Sequence, residues 1–367
     1  MIHFGPDFTD RILETACRIQ QIPAPTLDES RRAAWVKEQF RALRLSSLDT
    51  DAAGNVLGCL PGSGSAAPLV ISAHLDTVFP IDTSLTLTRQ ENRICGPGIG
   101  DNSLGVAAVL GLAELFQAQS LRFPGDIWLA ATTCEEGLGN LRGIQALVDR
   151  FGARPAAYIC LEGHGLGSIL HRGLGVERLR VTARAQGGHS WVDYGRPSAI
   201  HHLIRLGSRV ASTRVPASPR TTLNIGRIEG GTSVNTIAAE AWMEIDLRSE
   251  GARALERLKA RVNRRLEFSE EGVEVEVRVV GRRPAGQISA SHPLVTTAQT
   301  VLSELGLPAR LDIASTDANI PLSLGYPAIT LGLTSGGRAH TLDEFIETIP
   351  FQKGFRQVVN LVERLFA

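Results

Sequence analysis

Cysteine is sparse in this chain: Cys17, Cys59, Cys95, Cys134 and Cys160 are an odd number, widely spaced, with no Cys-x-x-Cys among them. That pattern argues against a disulfide framework and suits a reducing cytoplasm, which is the expected location. Charge bias is missing too, since 38 basic residues face 38 acidic ones. A neutral chain gives no reason to expect nucleic acid or a membrane surface as a partner. No run approaches the roughly 20 apolar residues that cross a bilayer. The stretch Met1-Ile-His-Phe-Gly-Pro-Asp7 lacks the charged-then-apolar layout of a secretory signal. No predicted strand ends in a Gly-x-Ser-x-Gly elbow, which argues against a serine hydrolase. Internal repeats and low-complexity tracts are absent as well.

What the chain does have is 43% hydrophobic residues and 37 glycines over 367 positions. This is the composition of a packed α/β protein, long enough for two domains. Apolar spacing predicts helices over 7–20 and 28–43, and short buried strands over 55–60 and 69–73. A glycine-rich loop, 96–103, opens a helix over 104–118, with Ser103 as its expected N-cap. Strands over 126–133 and 157–161 follow, with a helix over 140–150 between them. Such alternation implies an α/β fold with a mixed, mostly parallel sheet flanked by helices.

Past Gly173 the pattern changes. Strand 176–183, helix 198–211, strands 222–228 and 236–248, helix 252–268 and strand 273–280 run in the order βαββαβ. That is the split arrangement of a ferredoxin-like α+β domain. Ala241, Met243, Ile245 and Leu247 alternate with Trp242, Glu244, Asp246 and Arg248, and Val273, Val275, Val277 and Val279 alternate with polar residues. One apolar face per strand predicts a sheet covered on one side. The earlier pattern then resumes with helix 292–305, strand 327–333 and a closing helix over 351–365. The expected domains are 1–173 with 287–367, and an insertion at 174–286.

One stretch organises the rest: Leu69-Val-Ile-Ser-Ala-His74-Leu-Asp76. A buried strand stops at a histidine, at the sheet edge where α/β proteins bind ligands. His74 is a candidate metal ligand there, and Asp76 a candidate for orienting its ring. Later segments repeat the layout, with Asp101 in the glycine-rich loop, Glu136 after strand 126–133, Glu162 after strand 157–161, and His340 beyond strand 327–333. Two histidines and three carboxylates suit a pair of divalent ions, zinc above all, with manganese and cobalt also accepted by such donors. One carboxylate could bridge both ions. In the adjacent pair, one glutamate would bind metal and its neighbour would move protons.

The motifs Ser72-Ala-His74-Leu-Asp76-Thr-Val78, Gly98-Ile-Gly-Asp101-Asn102-Ser-Leu-Gly105, Thr133-Cys-Glu135-Glu136-Gly137, Leu161-Glu162-Gly163 and Gly337-Arg-Ala-His340-Thr-Leu-Asp-Glu344 resemble those of the M20 metallopeptidase family. The resemblance covers nearly the whole chain. It implies a zinc-exopeptidase-like catalytic domain with an inserted lid and dimerisation domain. It further implies that His74, Asp101 and Glu162 hold one ion, and Asp101, Glu136 and His340 the other. Glu135 would be the general base, Asp76 would orient His74, and the Asp101–Asn102 peptide would be cis. By the same likeness, His189 would reach a partner subunit's oxyanion, making the protein a homodimer through the lid. Asn235 and Arg248 would hold a substrate carboxylate, with a salt bridge from Arg248 to Glu244 or Asp246 as the alternative.

The expected reaction is cleavage of an amide or peptide bond next to a free carboxylate in a small peptide, in the manner of a carboxypeptidase, aminopeptidase or dipeptidase. Deacylation of an N-acyl amino acid, as by acetylornithine deacetylase or a desuccinylase, is the second reading. A non-catalytic metal or peptide binder on the same fold is the rival from another class. Among other residues, His164 could sit near the metals but is expected behind their ligands or at the surface, and His3, His171, His201, His202 and His292 at solvated or helix-surface positions. Cys134 is expected to be a buried, inert thiol.

Overall fold

Strands buried on both faces build the larger part of the molecule. The computed structural model describes residues 2–367, and the chain divides into two units, Met1–Gly173 with Gln287–Ala367, and Leu174–Gly286. In the first, every residue of the strand Leu69–His74 is buried, as its unbroken apolar run requires of a central parallel strand. Ile127–Thr132 and Ala157–Leu166 flank it in parallel, and Ala328–Gly332 lies parallel to Ala157–Leu166. Antiparallel strands close the sheet: Val56–Leu60 and Ser46–Thr50 beyond Ile127–Thr132, and Ser168–Gly173 beyond Ala328–Gly332. The sheet is mixed, with a parallel centre, as the sequence predicts.

The helices Pro6–Gln20, Gly105–Ala118, Pro293–Glu304 and Thr348–Leu365 pack on one another in a chain of contacts. Ile99–Ala118 is the one helical stretch, among the described residues, long and apolar enough to cross a membrane, and 89% of it is buried inside the protein. The sequence reading anticipated no such segment. Its apolar surface belongs to the core, where it lies against Leu69–His74 and the N-terminal helix.

Some of the expected local details differ. Ser103 does not cap the Gly105–Ala118 helix; its hydroxyl donates to the Gly98 carbonyl. Asn102 Oδ1 takes the Gly105 N–H instead, at 3.1 Å. His171 is buried rather than solvated, with Nδ1 2.8 Å from the Ile288 carbonyl.

The second unit is a four-stranded antiparallel sheet in the order Thr221–Gly230, Glu240–Ser249, Gly175–Ala185, Val273–Arg283. The helices Ala199–Ala211 and Ala252–Leu266 close a core with Ala241, Met243, Ile245 and Leu247. On the edge strand only Val273 and Val275 reach that core; Val277 and Val279 stand exposed, against the expectation from alternation. An edge strand has one neighbour, and the helices do not extend over its far half. His202, expected at the helix surface, is fully buried, stacked on Phe268 and 3.0 Å from a Glu270 oxygen.

One close approach sets where the closing helix can lie. A Cβ on Gly354 would stand 1.6 Å from the Leu333 carbonyl oxygen, at the end of a central strand. Gly354→Ala is therefore expected to lower the melting temperature by about 6 °C or more, through overpacking that backbone cannot relieve. Thermal unfolding followed by circular dichroism checks this, and an unchanged midpoint would place the helix elsewhere.

Candidate metal centre

The parallel central strands end at one edge, and their last residues carry the polar groups. His74 closes its strand with Nδ1 3.0 Å from the Asp76 carbonyl oxygen. A carbonyl only accepts, so Nδ1 carries a proton, and Nε2 is the nitrogen that would ligate a metal once deprotonated. That Nε2 lies 3.1 Å from Asp101 Oδ1 and 3.6 Å from Glu162 Oε2. His340 Nε2 sits 3.0 Å from Asp101 Oδ2 and 3.0 Å from Glu136 Oε1. Asp101 thus turns one oxygen to each histidine. Three sets of donors come within 4.8 Å of one another: His74 with Asp101 and Glu162, Asp101 with Glu136 and His340, and His74 with Glu135 and Glu136. The structure therefore brings His74, Asp101, Glu135, Glu136, Glu162 and His340 into one cluster. The Asp101–Asn102 peptide is cis.

Backbone turns hold these side chains, and buried polar residues hold the turns. Asp76 is fully buried, and its two oxygens accept the N–H groups of Glu135 and Glu136 at 2.9 and 2.8 Å. Its carboxylate is farther from His74, at 3.5 Å to Nδ1. Asp76 therefore orients the ring mainly through its carbonyl, while its side chain clamps the turn bearing both glutamates. Thr26 donates to the same carboxylate. Glu344, also fully buried, accepts from the N–H groups of Gly98, Gly100 and Asp101 at 2.7–2.8 Å, and His164 lies 3.0 Å away. His164 accordingly sits one step behind the cluster. Asn102 ties the loop to Leu161 and Gly163, next to Glu162. Arg32, buried, donates to the carbonyls of Leu75 and Ile22. None of Glu344, Asn102, Thr26 or Arg32 was a sequence candidate. The available signals were Glu344 inside the His340 motif and Asn102 inside the Asp101 motif.

The charge is unbalanced. Burial alone would lower His74, but Glu162, Asp101 and Asp76 raise it well above the usual histidine value. Hydrogen bonds to Asp101 and Glu136 push His340 up to about 10, against its burial. Burial disfavours ionising Asp101, yet both histidines hold it well below the usual carboxylate range. Glu162 is raised by burial, against the pull of His74 and with Asp101 and Glu136 adding repulsion. Asp317, behind the cluster, is pushed up to about 7 by burial, with Asp76 and Glu162 nearby; its Oδ2 takes the Thr132 hydroxyl at 2.7 Å. Burial pushes the Cys134 thiol up, in keeping with an inert sulfur. Carboxylates in excess, drawing protons onto two histidines, are what divalent cations would relieve. The donor set fits such ions.

The remaining candidates lie in the inserted unit, considered by itself. His189 and Asn235 are neighbours: Gly188–His189 pairs with Thr236–Ile237, and Ser190 N–H donates to the Asn235 carbonyl. His189 Nδ1 accepts from the N–H groups of Trp191 and Val192 at 3.2 and 3.4 Å, which leaves Nε2 as its proton-bearing nitrogen. Arg248 is not brought to them. It lies opposite Val176 and Thr222, at the far end of its strand, with Nε 2.6 Å from Asp246 Oδ2.

Comparison with known proteins agrees with this geometry. Residues 70–365 match the model of Peptidase family M20/M25/M40. Succinyl-diaminopimelate desuccinylase of Corynebacterium glutamicum is 27% identical over 338 residues, covering 89% of each chain. The aminopeptidase PepT of Bacillus cereus superposes with a TM-score of 0.79 at 22% identity, over 97% of this chain and 98% of that one. The YXEP protein of Bacillus subtilis, a dinuclear metal binding peptidase from the M20 family, superposes with a TM-score of 0.71 at 15% identity, over 99% of each. A family match across most of the length, over a cluster of this composition at the edge of this sheet, makes the chain a member of peptidase family M20/M25/M40.

Proposed function

We propose that this chain is a two-metal hydrolase of amide or peptide bonds lying next to a free carboxylate. The observation that carries the reading is Asp101, whose oxygens face two different histidines at 3.1 and 3.0 Å. His74 and Glu162 would complete one donor set around it, and Glu136 and His340 the other. Imidazole and carboxylate donors suit zinc first, and manganese or cobalt after it. When bound, the two ions would supply Lewis acidity and a water acidic enough to attack near neutral pH.

Glu135 is 5% exposed and lies within the cluster but outside both of those donor sets. It takes the proton of the attacking water and delivers it to the departing nitrogen. His189 offers Nε2–H to the developing oxyanion, and Asn235 and Arg248 hold the substrate carboxylate. A small peptide is the preferred substrate. Deacylation of an N-acyl amino acid is the second reading, favoured by the 27% identity to a desuccinylase. We place the enzyme in the cytoplasm, in line with five free cysteines.

We further propose a homodimer formed through the inserted unit. From Glu240, beside the His189 end of the sheet, to Arg248 the strand runs eight residues, roughly 27 Å at 3.4 Å per residue. One copy of the unit can hardly bring His189, Asn235 and Arg248 to one small substrate, whereas two copies can. Exposed Ile228, Val277 and Val279 on the edge strands give such a contact apolar surface.

Four measurements test these readings. A panel of short peptides and N-acyl amino acids should be hydrolysed in a chelator-sensitive manner. Glu135→Gln should cut turnover about a hundredfold to ten-thousandfold with metal content unchanged. Chelator-insensitive activity, or an active Glu135→Gln variant, would sink the mechanism. Because His74 and His340 are raised and must lose their protons to ligate, metal uptake near pH 7 should release up to about two protons, and affinity should fall as pH falls. Calorimetry in buffers of different ionisation enthalpy reads this, and zero release would contradict the cluster electrostatics. Finally, Glu135→Gln and His189→Ala chains are each expected to be inactive. Co-expressed, they should recover about a quarter of wild-type activity if His189 acts across the dimer, and none if it acts within one chain.

A further inference from the structure

In a chain with as many acids as bases, many arginines of the inserted unit pair with carboxylates. Arg178 pairs with Asp246, Arg180 with Glu244, and Arg184 with Glu240 and Glu276. The helical face behaves differently. Arg209, Arg214, Arg257, Arg261, Arg264 and Arg265 gather there, and among the described residues none has a carboxylate within 4.0 Å. Four of them lie on one side of the helix Ala252–Leu266, at spacings of 4, 3 and 1. Like charges at i and i+4 weaken a helix. Proximity to helix C-termini accounts for Arg209, Arg264 and Arg265, but it does not account for Arg214, Arg257 or Arg261.

These arginines line a groove with two adjoining recesses of about 470 and 510 Å³, which share Arg214, Arg261 and Arg264. An independent feature points to a ligand. Thr213, 8% exposed, lines the first recess, and its Oγ1 has no hydrogen-bond partner among the described residues. Arg261 Nε, in the same wall, is likewise buried and without a partner. A buried hydroxyl and a buried guanidinium N–H left unmade are each costly, and an oxyanion in the recess that either side chain turned to meet would relieve that cost.

We propose that this groove binds a small, multiply charged phosphate chain, such as triphosphate or the triphosphate of a nucleotide. Guanidinium forks match phosphate oxygens in pairs, and this many uncompensated cations call for more than one negative charge. From Arg257 to Arg265 the helix advances eight residues, about 12 Å, which suits two or three phosphoryl groups rather than a long backbone. Val215 and Pro216 line the second recess beside Arg257, an apolar strip on which the non-phosphate end of a nucleotide could rest. No carboxylate ligand of the metal cluster takes part, and the inference stands independently of the hydrolase reading.

The test is calorimetric titration of the full-length, metal-loaded protein with sodium triphosphate, ATP and a single-stranded oligonucleotide, in about 50 mM salt, where exposed charges are weakly screened. Both phosphate compounds should bind saturably. Arg261→Ala combined with Arg264→Ala should weaken binding at least about tenfold, Thr213→Val less so, and Asp101→Ala not at all. Arg214→Ala, on an exposed loop, provides the loss-of-binding control should the double variant misfold. Equal affinity for triphosphate and ATP assigns the site to the phosphate chain alone, and tighter ATP binding adds the apolar strip. Absence of saturable binding, binding indifferent to the arginine variants, binding lost in Asp101→Ala, or preference for the oligonucleotide would each overturn the proposal.

Discussion

Like charges are forced together at the carboxyl edge of the central strands, and the larger unit is built to keep them there. Asp101, Glu135, Glu136 and Glu162 all reach the few ångströms shared with His74 and His340. Two carboxylates 4.8 Å apart repel by about 3–4 kcal/mol at an effective dielectric near 20. Left to themselves, the side chains would rotate outward. They are held because the turns carrying them are pinned by buried groups that cannot leave: Asp76 under the Glu135–Glu136 turn, Glu344 under the Gly98–Asp101 loop, and Asn102 between that loop and Glu162. Glu344 itself shows how a buried carboxylate is tolerated, through three N–H donors and a histidine. In the cluster proper, Asp101, Glu136 and Glu162 face the two histidines instead. Its missing positive charge comes from protons on two histidines or from cations.

Strand direction makes this crowding possible. His74 lies level with Thr132 across one parallel pair, and Leu161 with Leu331 across another. The groups that follow therefore emerge at a common height. A slip of two residues in any of these pairings would carry a ligand about 7 Å along the strand, beyond the reach of its partners. The apolar packing of the central strands is thus also the positional control on the cluster. Gly354 extends that control, since its missing side chain lets the closing helix lie against Leu333, whose N–H is bonded to the Glu162 carbonyl.

These same features explain what the sequence could reveal. Leu69–His74 and Ile127–Thr132 are legible because burial on both faces demands an unbroken apolar run, and a histidine or paired glutamates at the end of such a run stands out. Ser168–Gly173 and Arg310–Ala314 are not legible, being short, partly exposed and defined only by their neighbours. The residues beneath the cluster are hidden for another reason. Glu344 reaches Gly98 from 246 residues away and binds its backbone, so its place in the His340 motif gives no hint of the loop it clamps. His202 reads as a helix-surface residue because its cover, Phe268 and Glu270, comes from beyond the next helix.

The inserted unit uses charge in the opposite sense. On its open face, Asp246 sits between two guanidiniums, with Oδ1 3.1 Å from Arg178 Nε and Oδ2 2.6 Å from Arg248 Nε. The ion pair weighed as the alternative role for Arg248 is therefore present, yet it does not consume the arginine. One carboxylate thus holds two guanidiniums, and the three groups are half-buried and so less screened than at the open surface. Arg248 is engaged at Nε, and its terminal nitrogens keep the planar fork that a second carboxylate needs. If Arg248 holds the substrate carboxylate as proposed, Asp246 is the group that fixes the fork's direction beforehand, which lowers the ordering cost of binding. An unpaired arginine at that position would carry the same charge but would have to be immobilised at the moment of capture.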